Sequence, residues 1–219
     1  MPRAGLNPSI LTMAAADLAD SEGIDAVTVT SLARQVGVST PSLYAHVGGT
    51  QDLRVRVAAL AISEIADEVA NALAGRAGRD AVEALAYTIR SYARRHPGRY
   101  AASRTPLDPE TAAASAGPRH AGLLRAVLRG YEITDTAESV HAIRVLSGLI
   151  HGVVDLEAAG SFNHSDPPTD TSWLRVVDVL DATLRSWPPV PTAQRSTERG
   201  FTATHHERVR HGLEPPRAG

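Results

Sequence analysis

The stretch from Val27 to Val47 spells one local pattern twice, and two short helices joined by a tight turn account for it. With Thr28 as an N-cap, Val27 stands at N′ and Leu32 at N4, the pair that forms a hydrophobic staple. With Ser39 as the next N-cap, Val38 and Leu43 take the same two places. Gly37 lies between them, where a sharp helix-to-helix turn needs a residue tolerant of positive φ. Pro41 falls at N2, where its missing N–H would have had no helical partner. The spacing therefore predicts helix, turn, helix, with Leu32, Ala33, Val36 and Leu43 packed inward against the first helix of the chain.

Thr40, Pro41, Ser42, Tyr44, Ala45 and His46 are left facing outward. Small and hydroxyl-bearing groups at the start of an exposed helix suit a recognition helix, whose first residues touch base edges in the major groove. Pro41 and the methyl of Thr40 can pack on thymine methyls, and Ser42 can donate or accept at a base edge. Tyr44, His46 and the Thr50 hydroxyl suit phosphate oxygens, as does the N–H end of the helix starting at Thr50. The plainer alternative is a short helical hairpin inside an ordinary bundle.

Gly37-Val-Ser-Thr-Pro-Ser-Leu-Tyr-Ala-His-Val47 resembles the DNA-binding signature of the tetracycline-repressor (TetR) family, over about residues 7 to 60. The resemblance implies a three-helix headpiece whose fourth helix leads into a ligand-binding, dimerising C-terminal domain. It implies base contacts at Thr40, Pro41 and Ser42, and phosphate contacts at Thr28, Tyr44, His46 and Thr50. Arg34 is expected to join the backbone contacts. The family usually has lysine where this chain has Thr50, and an aromatic where it has Ala45. Arg3, Arg34, Arg54 and Arg56 are outnumbered by Asp17, Asp20, Glu22, Asp25 and Asp52, so a shallow salt dependence of DNA binding is expected.

Apolar spacing is helical nearly throughout, so the expected fold is all-α: a three-helix helix-turn-helix headpiece joined to a larger C-terminal helical bundle. Helices are expected from Asn7-Pro8 to Glu22, from Thr50 to about Leu73, and from Arg79 to Arg95, where His96-Pro97-Gly98 stops the run. Pro106 and Pro109 mark a loop. Further helices are expected from Pro118 to Tyr131, from a Thr134 cap to Ala159, and from Thr171 to Trp187. The division is residues 1–50 for the headpiece, 51–187 for ligand binding and dimerisation, and 188–219 for a disordered, proline-rich tail. His205, His206 and His211 in that tail read as solvated.

Composition narrows the chemistry. There is no cysteine, hence no disulfide framework or thiolate zinc site. All 22 basic residues are arginine, so an aldimine-forming or Walker-type lysine is impossible. No basic-then-apolar leader opens the chain, and no apolar run is expected to approach the ~20 residues that span a bilayer, so a cytoplasmic protein without membrane contact is expected.

In the C-terminal half, His141, Arg144, Gly148, His151 and Asp155 fall at spacings of three and four along one apolar helix. Three readings stay open for this stripe: a hydrogen-bonded seam in the core or dimer interface, the wall of an effector pocket, or a metal or catalytic centre. The pocket reading takes in Tyr87, Tyr92, His141, Arg144, His151 and Asp155. Neither a metal, a cofactor nor a catalytic set is expected. His151-Gly152 and His96-Pro97-Gly98-Arg99-Tyr100 are similar to a TetR subgroup named for a Trp-His-Gly pattern. The expected function is a one-component regulator, in the repressor sense, that binds a pseudo-palindromic DNA operator as a homodimer through its last two long helices and answers a small-molecule effector. A helical binding protein or enzyme with an idle headpiece is the alternative.

Overall fold

Asn7 opens the first helix by accepting a hydrogen bond from the Ile10 N–H at 2.9 Å, with Pro8 at the first helical position. Helix α1 (Pro8–Glu22) ends at Gly23, whose φ of 89° lets the chain turn into a 3-10 segment, Ile24–Ala26. The computed structural model describes residues 7–188, so Arg3 and most of the expected tail, residues 189–219 with its histidines, lie outside the described residues. Within them stand ten α-helices and no strand.

Helices α2 (Val29–Val36) and α3 (Thr40–Leu43) follow the two staples. Val27, Leu32 and Leu43 are wholly buried, and Gly37 adopts φ 71° between the helices. They pack on α1 with Leu11, Ala15 and Leu18. Helix α4 (Thr50–Leu73) then runs 24 residues, about 36 Å at 1.5 Å per residue. Its first turns give Leu53, Val57 and Ala58 to that same core. Its later turns bury Ile65, Ala66 and Val69 against the remaining helices.

Helix α5 (Gly78–Arg95) stops at His96, as expected, but Pro97 immediately starts another helix, α6 (Pro97–Ser103). A proline bars helix behind it and is well placed at the first turn ahead of it, so Pro97 both ends α5 and opens α6. The expected loop at Pro109 is likewise the start of α7 (Pro109–Ala114), capped by Asp108. Helix α8 (Gly117–Arg129) leads to α9 (Thr136–Ala158). Its cap is Asp135 and not Thr134: the Asp135 carboxylate accepts from the Ala137 and Glu138 N–H groups. Helix α10 (Thr169–Arg185) starts and ends two residues earlier than the sequence suggested.

The expectation about membrane-length runs also needs correction. Helix α9 is long and apolar enough, by length and composition, to cross a bilayer. Here it packs against α5, α8 and α10, with Leu146, Ile150 and Val154 inward, and it carries charged Arg144, Asp155 and Glu157. Pro8 to Arg185 belong to one compact unit, in which α4 and α6 each touch both α1 and α5.

Candidate nucleic-acid interface

The helix-turn-helix surface is built by its caps. Thr28 accepts from the Ser31 N–H at 3.0 Å, and Ser31 Oγ accepts from the Thr28 N–H at 2.9 Å, closing a capping box that fixes the start of α2. Thr50 Oγ1 accepts from the Val29 N–H at 3.4 Å, tying the start of α4 to the start of α2. Both hydroxyls expected to meet phosphate thus already brace the headpiece, and both residues are half-buried. Ser39 occupies the α3 N-cap position without a side-chain bond to the helix; its hydroxyl instead pairs with that of Ser42 at 2.7 Å.

Leu43 is the anchor of α3, and what surrounds it faces out. Pro41, Ser42 and Ala45 are exposed, Tyr44 is 60% exposed, and Thr40 and His46 are half-buried. Tyr44, at the C-cap of α3, and Pro41 thus form an exposed apolar surface around the wholly buried Leu43.

Charge across this surface is sparse. Arg54 donates to the Asp25 and Val27 carbonyls and pairs with the Asp25 carboxylate at 3.4 Å. Arg56 is held by Asp52 at 2.8 Å. Arg34 is exposed, with no ion pair among the described residues. The acids at the end of α1 are engaged elsewhere: the Arg99 guanidinium meets Asp17 at 2.5 Å, Asp20 at 3.0 Å and Glu64 at 3.1 Å. His96 Nδ1 lies 3.0 Å from Asp20.

The six residues expected around an effector do not share one cavity. His141 and Arg144 are exposed on α9, while His151 and Asp155, further along, meet α6 and Arg104, so the polar stripe has different surroundings at its two ends. The Tyr100 hydroxyl and His151 Nδ1 are 2.7 Å apart, and Arg104 pairs with Asp155 while covering the Tyr100 ring at 4.5 Å. Burial, aided by Arg104, pushes the His151 pKa down. His120 nearby is also pushed down by burial, and its Nδ1 has no hydrogen-bond partner among the described residues. Tyr92 is buried and donates to Glu64 at 2.6 Å, a core role. Tyr87 stacks at a tilt on Trp173, 6.2 Å between ring centroids, and borders open surface clefts.

Another cleft, of about 530 Å³, opens between α5, α9 and the start of α10, lined in part by Arg90, Arg94, Glu157 and Asp170. None of these was singled out from sequence. The i, i+4 spacing of Arg90 and Arg94 on an amphipathic helix was the available signal. The Arg99 contacts were equally unforeseen, although His96 to Tyr100 stood out as a motif.

Residues 11–57 match the family model described as bacterial regulatory proteins, tetR family, and residues 82–180 match the one described as tetracyclin repressor-like, C-terminal domain. The HTH-type transcriptional regulator Rv0681 of Mycobacterium tuberculosis is 38% identical over 189 residues, covering 84% of this chain and 80% of that protein. The HTH-type transcriptional regulator YobS of Bacillus subtilis is 32% identical over 168 residues, covering 75% and 86%. A variant of TetR from Acinetobacter baumannii AYE, solved in complex with minocycline, superposes with a TM-score of 0.64 at 21% identity, over 85% of this chain and all of that one. That last likeness shows the fold alone.

Proposed function

This chain belongs to the tetR family of bacterial regulatory proteins, DNA-binding transcriptional regulators with a helix-turn-helix, and from that premise we propose how it works. Residues 1–50 dock on DNA and 51–187 dimerise and bind a small-molecule effector. The α3 face enters the major groove, with Thr40, Pro41 and Ser42 at base edges and Arg34, Tyr44, His46 and the Thr28–Thr50 corner at the backbone. The carrying observation is the exposure of Pro41, Ser42 and Tyr44 over a wholly buried Leu43.

The partner is a second copy, joined through α9 and α10. Val145 and Leu156 on α9, and Leu174 and Val179 on α10, are large apolar side chains between 45% and 54% exposed. Open space over Gly148 and Gly152 lets a facing helix approach closely. A twofold dimer meets a pseudo-palindromic operator with half-sites roughly 34–36 Å apart. An effector that prefers one arrangement of the dimer shifts the population and changes DNA affinity, in the repressor sense by releasing it. The TetR variant solved with minocycline supports a small molecule in that role. The protein acts in the cytoplasm and has no catalytic part.

A gel shift with the DNA upstream of its own coding region tests the proposal. Tyr44→Ala or Ser42→Ala protein that keeps its helical circular dichroism should bind less tightly, by roughly tenfold for Ser42→Ala given the ~1–3 kcal/mol of a good base contact. Unchanged binding in both removes α3 from the interface. Val179→Asp should turn the dimer monomeric in sedimentation; a persisting dimer places the interface elsewhere.

A further inference from the structure

We propose that the cleft between α5, α9 and the start of α10 is a binding site for an amphipathic organic carboxylate, and that Asp170 occupies the carboxylate position in the free protein. At its floor Arg90, only 5% exposed, donates to Glu157 through Nε at 2.8 Å and Nη2 at 2.5 Å. The same Nη2 donates to Asp170 Oδ1 at 2.6 Å. Arg94 repeats the arrangement, with Nη2 at 2.7 Å from Glu157 and 3.3 Å from Asp170. Two guanidinium groups therefore share two carboxylates.

The two carboxylates are not equivalent. The Glu157 side chain is 15% exposed and also accepts from Trp173 Nε1 at 3.1 Å, and Trp173 in turn supports the Arg90 guanidinium 4.8 Å from its ring. These donors, Arg90 foremost, hold the Glu157 carboxyl down at about 2. Asp170 is 73% exposed, is the second residue of α10, and among the described residues its carboxylate meets only the two Nη2 nitrogens. Glu157 is the fixed partner and Asp170 the exchangeable one.

A buried guanidinium must stay paired, and exchanging one carboxylate for another keeps it so throughout. Glu157 takes the planar fork of Arg90, whereas one Asp170 oxygen accepts a single N–H from each arginine, contacts that the carboxylate of a ligand can accept in its place. Beside the charges, Ala93, Pro97, Val154, Ala158 and Pro168 give the cleft an apolar wall for a hydrocarbon or aromatic body, and about 530 Å³ suits a small organic acid. Displacing Asp170 unties the first turn of α10 from α5. That this reaches DNA rests on the dimer proposed above, whereas binding itself does not.

Calorimetry on the full chain without DNA, with octanoate as probe and octanamide as its neutral counterpart, tests the site. Wild type should show saturable octanoate binding and none for octanamide. Asp170→Asn, which removes the internal competitor, should bind octanoate several-fold more tightly, and Arg94→Gln, at a half-exposed position, should bind it at least tenfold more weakly. A structural role for Asp170 alone predicts no gain. Equal binding of octanamide, no tightening in Asp170→Asn, or no octanoate heat in either protein overturns the proposal. Gel shifts with octanoate then separate the two claims: binding without any change in DNA affinity keeps the site and overturns its part in regulation.

Discussion

Gly98 lies so close to Ala19 that a Cβ built on it falls 1.9 Å from the Ala19 carbonyl oxygen. The bare backbone of α6 is thus seated directly on the end of α1. The flanking residues complete the seat: the Arg99 N–H donates to Asp20 Oδ1 at 2.9 Å, and His96 Nδ1 reaches the other oxygen. One residue further, Tyr100 faces the opposite way, toward His151 on α9. Helix α6 is therefore held on one side by the headpiece and on the other by the C-terminal bundle.

Gly98→Ala forces α6 and α1 apart, because the atom in the way is backbone and cannot rotate aside. The cost should lie at or above the usual 1–3 kcal/mol of overpacking. Urea denaturation followed by circular dichroism should show a midpoint lowered accordingly. A midpoint within error of wild type would mean that α6 lifts from α1 freely.

Arg99→Met tests the charge hub. The Arg99 side chain is 8% exposed and stands between Asp17, Asp20 and Glu64, so its removal leaves at least two poorly solvated carboxylates without their cation. Breaking such a buried pair costs about 3–5 kcal/mol. Urea titrations at pH 7 should show the loss, and Arg99→Lys, which keeps the charge, should recover part of it; equal loss in the two variants would show that lost packing and guanidinium geometry, not charge, dominate.

What the sequence made legible was local. Caps, staples and Gly37 place α2 and α3 because each is decided by residues within five positions of one another. Helices α6 and α7 escaped because each opens on a proline after a break, and a short helix leaves too few turns for an apolar period to register. The stripe from His141 to Asp155 misled for another reason. Spacings of three and four do keep these residues on one face, drifting only about 40° over two heptads, but α6 covers that face at His151 and Asp155 and leaves His141 and Arg144 exposed, a long-range fact no local spacing carries. Long-range pairings such as Arg90 with Glu157, or Arg99 with Asp17, leave no spacing signal at all.

His120 and His151 make stability depend on pH near neutrality. Burial holds both below the ordinary 6.5, with Arg104 and His120 adding to the effect at His151 and Asp155 opposing it. The unfolded chain then binds more protons than the folded one as pH falls past 6.5, so stability is full above that value and declines below it. Denaturation midpoints should fall from pH 7.5 to pH 5.5. In a His120→Leu, His151→Gln double variant the slope over that range should flatten; an unchanged slope assigns the titration to other groups.

DNA binding should respond weakly to salt. Each phosphate neutralised adds roughly −0.9 to the slope of log K against log salt. Arg54 and Arg56 are committed to Asp25 and Asp52 within the headpiece, and Tyr44 and the helix N–H groups, proposed above for phosphate, carry no positive charge to displace a counterion. That leaves Arg34 as the exposed, unpaired cation among the described headpiece residues. Fluorescence anisotropy between 50 and 200 mM salt, a range on the order of that used for such slopes, should give a dimer slope no steeper than about −8, the value of roughly nine neutralised phosphates. Arg34→Ala should make it shallower by about 1.8, one phosphate in each half-site. A wild-type slope beyond −8 by a clear margin would require Arg54 and Arg56 to leave their carboxylates and turn to the duplex, and Asp25→Asn would then strengthen DNA binding where the ion pairs seen here predict little change.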